Sequence, residues 1–151
     1  MTRWLTGPEQ QAWRRLAAVT MLLPAALESQ LQRDADLTHF GYWVMAMLSE
    51  APGRSLRMSE LAALSYGSQS RLSHLVSRLE QQGYVRRERV GEDRRGYLAV
   101  LTDAGYAKVV ATAPGHVEEV RARVFDRLTP AQLTQLDEIC AAILSGTEPA
   151  S

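Results

Sequence analysis

Gly91-Glu92-Asp93-Arg94-Arg95-Gly96, followed by Tyr97-Leu98-Ala99-Val100-Leu101-Thr102, is the stretch that decides how this chain is read. Two acids and two arginines sit between glycines, and β-rich runs flank them, Tyr84 to Val90 before and Tyr97 to Leu101 after. That pattern predicts a hairpin with a charged tip. Just upstream, Ser68 has the chemistry to cap a helix running to about Gln82 and closed by Gly83. Leu72, Leu75, Val76 and Leu79 fall in one narrow arc of that helix, with Ser70, His74 and Ser77 opposite and Arg71 and Arg78 on a flank. A shorter helix, capped by Ser59 and running from Glu60 to about Ser65, precedes it across the turn Tyr66-Gly67-Ser68.

A polar-faced helix behind a tight turn and ahead of a basic hairpin is the layout of a winged helix-turn-helix. The partner this layout implies is double-stranded DNA. Outward from this centre the chain reads as helix. Thr6-Gly7-Pro8-Glu9 has capping-box spacing. Trp13, Leu16, Val19, Leu23, Leu27 and Leu31 then predict a long amphipathic helix over roughly 8–32, kinked near Pro24. Thr38 caps a second helix with Phe40, Trp43, Val44, Met47 and Leu48 on its buried side, ended by Ala51-Pro52-Gly53.

After the hairpin, Thr102 or Asp103 opens a helix bent at Pro114-Gly115. Thr129-Pro130-Ala131-Gln132 then starts a last one carrying Leu133, Leu136, Ile139, Ile143 and Leu144. The expected order is four helices, two strands, two helices. The fold class is mostly α with a small β-hairpin wing. The expected organisation is one continuous domain, with residues 1–35 as an N-terminal dimerisation helix, 36–101 as the winged helix-turn-helix and 102–151 as C-terminal linking and dimerisation helices. The terminal helices carry more apolar surface than such a small reader needs, and a second copy is the simplest cover.

Formal net charge is zero, yet the charge is unevenly spread. Residues 54–95 hold nine arginines against five acids, an excess of four positive charges balanced by the rest of the chain. A neutral protein so arranged can still turn a basic face to phosphate. Cys140 is the only cysteine, which excludes an internal disulfide and suits a reducing cytoplasm. No signal-like N-terminal pattern and no membrane-length apolar run is present. The three histidines, at 39, 74 and 116, form no ligand-spaced cluster, so neither metal nor cofactor is expected. No nucleophile elbow, phosphate loop or other catalytic signature supports an enzyme. Cys140, among Ile139, Ile143 and Leu144, reads as a buried thiol.

On these residues the chain resembles the MarR family of bacterial transcriptional regulators. Asp93-Arg94-Arg95-Gly96 with Leu101-Thr102 is similar to the family's wing signature, and Ser68-Gln69-Ser70-Arg71-Leu72-Ser73 with Leu79-Glu80 and Gly83 is similar to its recognition helix. The resemblance implies a homodimer joined through its terminal helices, a wing arginine in the minor groove, and small, often aromatic ligands that release DNA. Gly67 departs from the aliphatic residue many relatives carry, and a glycine there eases a positive-φ turn.

The candidate DNA-binding residues are Ser68, Gln69, Ser70, Arg71, Ser73, His74 and Arg78 on the helix, and Arg94 and Arg95 on the wing. Arg95 is the expected minor-groove residue, with Asp93 orienting it and Arg94 on backbone. Arg86, Arg87 and Arg89 straddle both faces of the first strand. Trp13, His39, Tyr42 and Trp43 make an aromatic group near the junction of reader and arms, which the resemblance implies as a ligand pocket. Each pattern also has a blander reading: a solvated face, a charged loop, plain core packing. The expected function is a sequence-specific DNA-binding repressor acting as a homodimer on a pseudo-palindromic operator. The alternatives are a winged-helix protein-interaction module without operator binding, and a ligand-binding dimer that has lost its operator.

Overall fold

Helix α1, Gly7–Ala35, starts where the sequence places it. Thr6 and Glu9 close a capping box: the Thr6 N–H donates to Glu9 Oε2 at 2.7 Å, and Thr6 Oγ1 accepts from the Glu9 N–H at 3.4 Å. The Thr6 N–H bond, with a second from the Thr6 hydroxyl to Glu9 Oε2 at 2.8 Å, holds the Glu9 carboxyl below the usual carboxylate range. The computed structural model describes residues 1–91 and 96–147. Within it α1 runs on through Pro24 and stops at Asp36, which takes the left-handed conformation. Helix α2, His39–Glu50, follows, with Thr38 Oγ1 accepting from the Gly41 N–H at 2.9 Å. The two helices are tied at that corner, where Glu28 Oε2 accepts from the His39 N–H at 2.6 Å.

Beyond a 3-10 turn at Pro52–Arg54 come β1 (Ser55–Arg57), α3 (Met58–Ser65), α4 (Gln69–Gln81), β2 (Val85–Arg89), β3 (Tyr97–Leu101) and α5 (Asp103–Arg123). After a second 3-10 turn, Phe125–Arg127, α6 covers Pro130–Leu144. The chain divides into two compact units, Met1–His116 and Val117–Ser151. No helix among the described residues is long and apolar enough to cross a membrane.

The sheet has three antiparallel strands in the order β1-β3-β2, one more than the sequence suggests. β2 and β3 pair as the expected hairpin, Val85 opposite Leu101 and Arg89 opposite Tyr97. β1 adds Ser55 opposite Val100 and Arg57 opposite Leu98. Three residues are too few to show strand alternation, so β1 is set by its pairing with β3 and not by its own pattern. Helix α3 also begins earlier than expected: the Glu60 carboxylate accepts from the Arg57 N–H at 3.1 Å, and Ser59 lies inside the helix.

The core of the first unit sits between α2, α3, α4 and the sheet. Leu31, Val44, Met45, Leu48, Leu61, Val76 and Ala99 are fully buried. On α2 the buried face includes Tyr42 and Met45, while Trp43 is 40% exposed. The stripe is rotated by about one residue from the expected one, because hydrophobicity alone puts Trp inside. In the turn before α4 the left-handed residue is Tyr66 (φ 54), not Gly67. Gly67 is needed for room: a Cβ there would come within 2.8 Å of Phe40 Cζ.

In the second unit α6 opens with the expected capping box, the Thr129 N–H donating to Gln132 Oε1 at 3.0 Å and the Gln132 N–H donating to Thr129 Oγ1 at 3.2 Å. None of its residues is buried within the chain, and Cys140 is exposed, not enclosed as the sequence suggests. Its apolar neighbours Ile139 and Ile143 are exposed with it, so they give the thiol no cover.

Candidate nucleic-acid interface

Helix α4 divides cleanly. Leu72, Leu75, Val76 and Leu79 are buried against the core, while Ser68, Gln69, Ser70, Arg71, Ser73, His74 and Arg78 lie outside that buried face, all but the cap residue on the helix itself. The structure thus brings the candidate residues of this helix onto the outer side of one element. Ser68 also caps the helix, its Oγ accepting from the Arg71 N–H at 3.1 Å. The free N–H groups and dipole of this first turn favour an anion in front of it. Asp93, Arg94 and Arg95 lie outside the described residues.

The hairpin is fastened to α4 by Arg87. From the middle of β2 its Nη2 donates to the Ser73 carbonyl at 2.8 Å and to Ser77 Oγ at 2.9 Å. Its Nε stands 3.1 Å from Glu80 Oε1, an ion pair whose alignment falls short of a hydrogen bond. Arg86 turns the other way and pairs with Glu88 at 2.8 Å on the surface. Sequence alone leaves both arginines open between DNA, Glu88 and solvent, and does not point to Glu80. The strand's alternation and the position of Glu80 one turn beyond Ser77 hold the signal for Arg87. A groove of about 530 Å³ lies here, lined by Arg57, Met58, Gln69, Ser73, Arg87 and Tyr97 among others.

The Leu101-Thr102 pair has a structural explanation. Leu101 is buried. The Thr102 hydroxyl donates to the Gly83 carbonyl at 2.6 Å and accepts from the Gly105 N–H at 3.0 Å, while the Thr102 N–H donates to the Tyr84 carbonyl at 3.0 Å. One residue therefore closes the loop after α4 and caps α5. Gly105 faces the Tyr84 carbonyl so closely that no side chain fits there. Just before β1, Arg54 reaches α5: its guanidinium lies 3.6 Å from the Tyr106 ring centroid and 3.3 Å from Asp103.

Of the aromatic group, His39 and Tyr42 come together around a residue that carries no signal of its own in the sequence. His116, buried on α5, has its ring 4.6 Å from that of Tyr42 and 6.1 Å from that of His39. His116 Nδ1 is 3.1 Å from Gln30 Oε1, and Gln30 in turn donates to Asp34 Oδ2 at 3.0 Å. Burial pushes the His39 imidazole below its ordinary pKa, against the opposing pull of Glu28. Burial, with help from Glu50, raises that of Tyr42. Trp43 is on the exposed side of α2. Trp13 is exposed on α1, fifteen residues before Glu28 and so about 22 Å along the helix from the His39 corner. Within one chain Trp13 is not brought to the others.

A MarR family model matches residues 37–96, from just after α1 to the residue before β3. Sco3205, a MarR family transcriptional regulator from Streptomyces coelicolor whose crystal structure is in complex with DNA, is 49% identical. The match covers 99% of this chain and 94% of that one, with a TM-score of 0.95. AbsC, a second MarR family regulator from Streptomyces coelicolor, is 44% identical over 97% of this chain and 100% of its own, at a TM-score of 0.89. YdcH of Bacillus subtilis, an uncharacterized HTH-type transcriptional regulator, is 31% identical over 83 residues, 54% of this chain, and this match spans 56% of YdcH. The protein is a winged-helix protein and belongs to the MarR family of transcriptional regulators.

Proposed function

We propose that the protein is a sequence-specific DNA-binding repressor that acts as a homodimer on a pseudo-palindromic operator. Helix α4 enters one major groove per half-site, with Ser68, Gln69, Ser70, Arg71 and Ser73 toward bases and His74 and Arg78 toward phosphate. Arg95 enters the minor groove beside it, oriented by Asp93, and Arg94 meets backbone. The observation that carries this reading is the clean division of α4, whose outer side is polar and basic along its length while its inner side is core. The complex of the 49%-identical Sco3205 with DNA supports it.

The homodimer is supported by the bare apolar surface of the terminal helices, including Trp13, Val19, Met21, Leu22, Ile139 and Ile143. Release by a small aromatic ligand near His39, Tyr42 and Trp43, with Trp13 too far along α1 to share that site within one chain, completes the reading, and the packed rings of His39, Tyr42 and His116 support an aromatic site there. The ligand acts through its preference for a DNA-incompetent arrangement of the dimer.

Selection of operators from random duplexes tests the function directly. The expected result is an inverted repeat with half-sites about one helical turn, ~10 bp, apart. Affinity should fall steeply with salt, by roughly 0.9 log units per log unit of salt for each phosphate contacted. Arg95→Ala should cost about 1–3 kcal/mol on the selected site. No enriched sequence, with a flat salt dependence, excludes the proposal.

A further inference from the structure

Phe40, the second residue of α2, packs partly buried against the core, and its ring lies at the first turn of α4. The Arg71 guanidinium carbon stands 4.3 Å from the Phe40 ring centroid, well within the ~6 Å over which an aromatic face attracts a cation. The same ring occupies the space in front of Gly67, where any Cβ would meet Phe40 Cζ at 2.8 Å. Because Tyr66, and not Gly67, takes the positive φ of this turn, backbone conformation does not call for the glycine. It is the ring that does.

Arg71 differs electrostatically from Arg86 and Arg87 of the hairpin. Arg86 pairs with Glu88 and Arg87 with Glu80, whereas among the described residues no acid pairs with Arg71. A ring orients a guanidinium without neutralising it. A carboxylate would orient it and cancel the charge that DNA must meet.

We propose that Phe40, admitted by Gly67, is a positioning residue that holds the Arg71 guanidinium at the leading end of α4, so that Arg71 reads one base pair of the operator. This rests on the DNA-binding function proposed above. Bidentate recognition of guanine O6 and N7 needs the planar guanidinium in one orientation. A long side chain already held there loses less freedom on binding than one that must be ordered by the DNA. A rigid ring at the base of the recognition helix thus converts a general phosphate-seeking cation into a selective one.

The test is a double-mutant cycle on the selected operator, read as affinity for the operator, affinity for random duplex, and preference at each base pair. Selectivity of the wild-type chain is measured first. Phe40→Leu should weaken operator binding about two- to fivefold and relax preference at one base pair, with random-duplex affinity and its salt dependence unchanged. Phe40→Trp, which keeps an aromatic face, should retain the preference. Gly67→Ala, which displaces the ring, should act in the direction of Phe40→Leu. On an Arg71→Ala background Phe40→Leu should cost nothing more. A Phe40→Leu cost that is the same with and without Arg71 makes Phe40 a structural residue only and overturns the proposal while leaving the function intact. A wild-type chain that does not prefer any operator over random duplex overturns both.

Discussion

Helices α4 and α6 carry apolar residues at the same three- and four-residue spacing, and the fold treats them in opposite ways. On α4, Leu72, Val76 and Leu79 are 2% exposed or less. On α6, Leu133, Ile139 and Ile143 are 44% exposed or more, and no residue of the helix is buried. The first half of α1 resembles α6, with Trp13, Val19, Met21 and Leu22 all more than half exposed. Helical periodicity says which side of a helix needs cover; it does not say whether the cover comes from the same chain. The reader completes its core internally. The terminal surfaces have the pattern of a core and no occupant for it, which is what a chain built for self-association would present.

That contrast can be broken at either end, and the largest effect belongs to the reader. Leu61 is fully buried in the core it shares with α2 and α4, so Leu61→Ala should cost about 2–5 kcal/mol of folding stability. The loss should be present at every protein concentration, measured by denaturant unfolding. A loss that fades as the protein is concentrated would mean that the reader, too, depends on a partner for its core.

Next in size is the opposite behaviour on α6. Ile139→Asp places a charge in the bare apolar surface and should weaken dimerisation by about 2–4 kcal/mol. Sedimentation should then show monomer at micromolar concentration, and the thermal midpoint should lose its dependence on concentration. An unchanged dimer would move the interface away from α6.

A smaller effect is expected where hairpin and α4 are joined. Arg87→Met keeps most of the length of the side chain and removes its bonds to Ser73, Ser77 and Glu80. Stability should fall by about 1–2 kcal/mol, with a matching loss of operator affinity and no change in the salt dependence of binding. A salt slope reduced by about 0.9 would make Arg87 a phosphate contact instead.

The periodic elements are legible in the sequence and the relational ones are not. The caps at Thr6, Thr38, Ser68 and Thr129 are local chemistry, readable because a hydroxyl three residues before an N–H has few other uses. The inner face of α4 is readable because four aliphatic residues recur in step. β1 is not, since three residues show no period and only β3 defines them. The exchange of Tyr42 for Trp43 on the buried face of α2 has the same cause: both rings fit the pattern, and only packing chooses. At the interface, the polar side of α4 can be named in advance, but not Arg87 or Phe40. Their roles depend on what lies opposite them on another element, Ser73 and Ser77 of α4 for Arg87 and Arg71 of α4 for Phe40. His116 escapes for that reason too, being 86 residues from the Gln30 it meets.

The finest test concerns the corner where α1, α2 and α5 meet. His39 is held by its burial below its ordinary pKa, with Glu28 acting in the other direction. The sign follows from which state takes up the proton first. As pH falls through the ordinary histidine value, about 6.5, the unfolded chain binds a proton that the folded chain does not, and the unfolded state gains. The stability is fully present above that value and is lost below it, down to the lower folded pKa. Between about pH 7.5 and 5.5 the wild-type protein should therefore lose more stability than His39→Gln, which keeps a polar side chain but cannot titrate. The comparison is made by urea unfolding at each pH, with His116, Tyr42, Asp34 and Glu28 present in both proteins so that their contributions cancel. If the two proteins lose stability in parallel, burial of His39 does not govern its titration, and the part of His39 in holding the corner is its backbone N–H bond to Glu28.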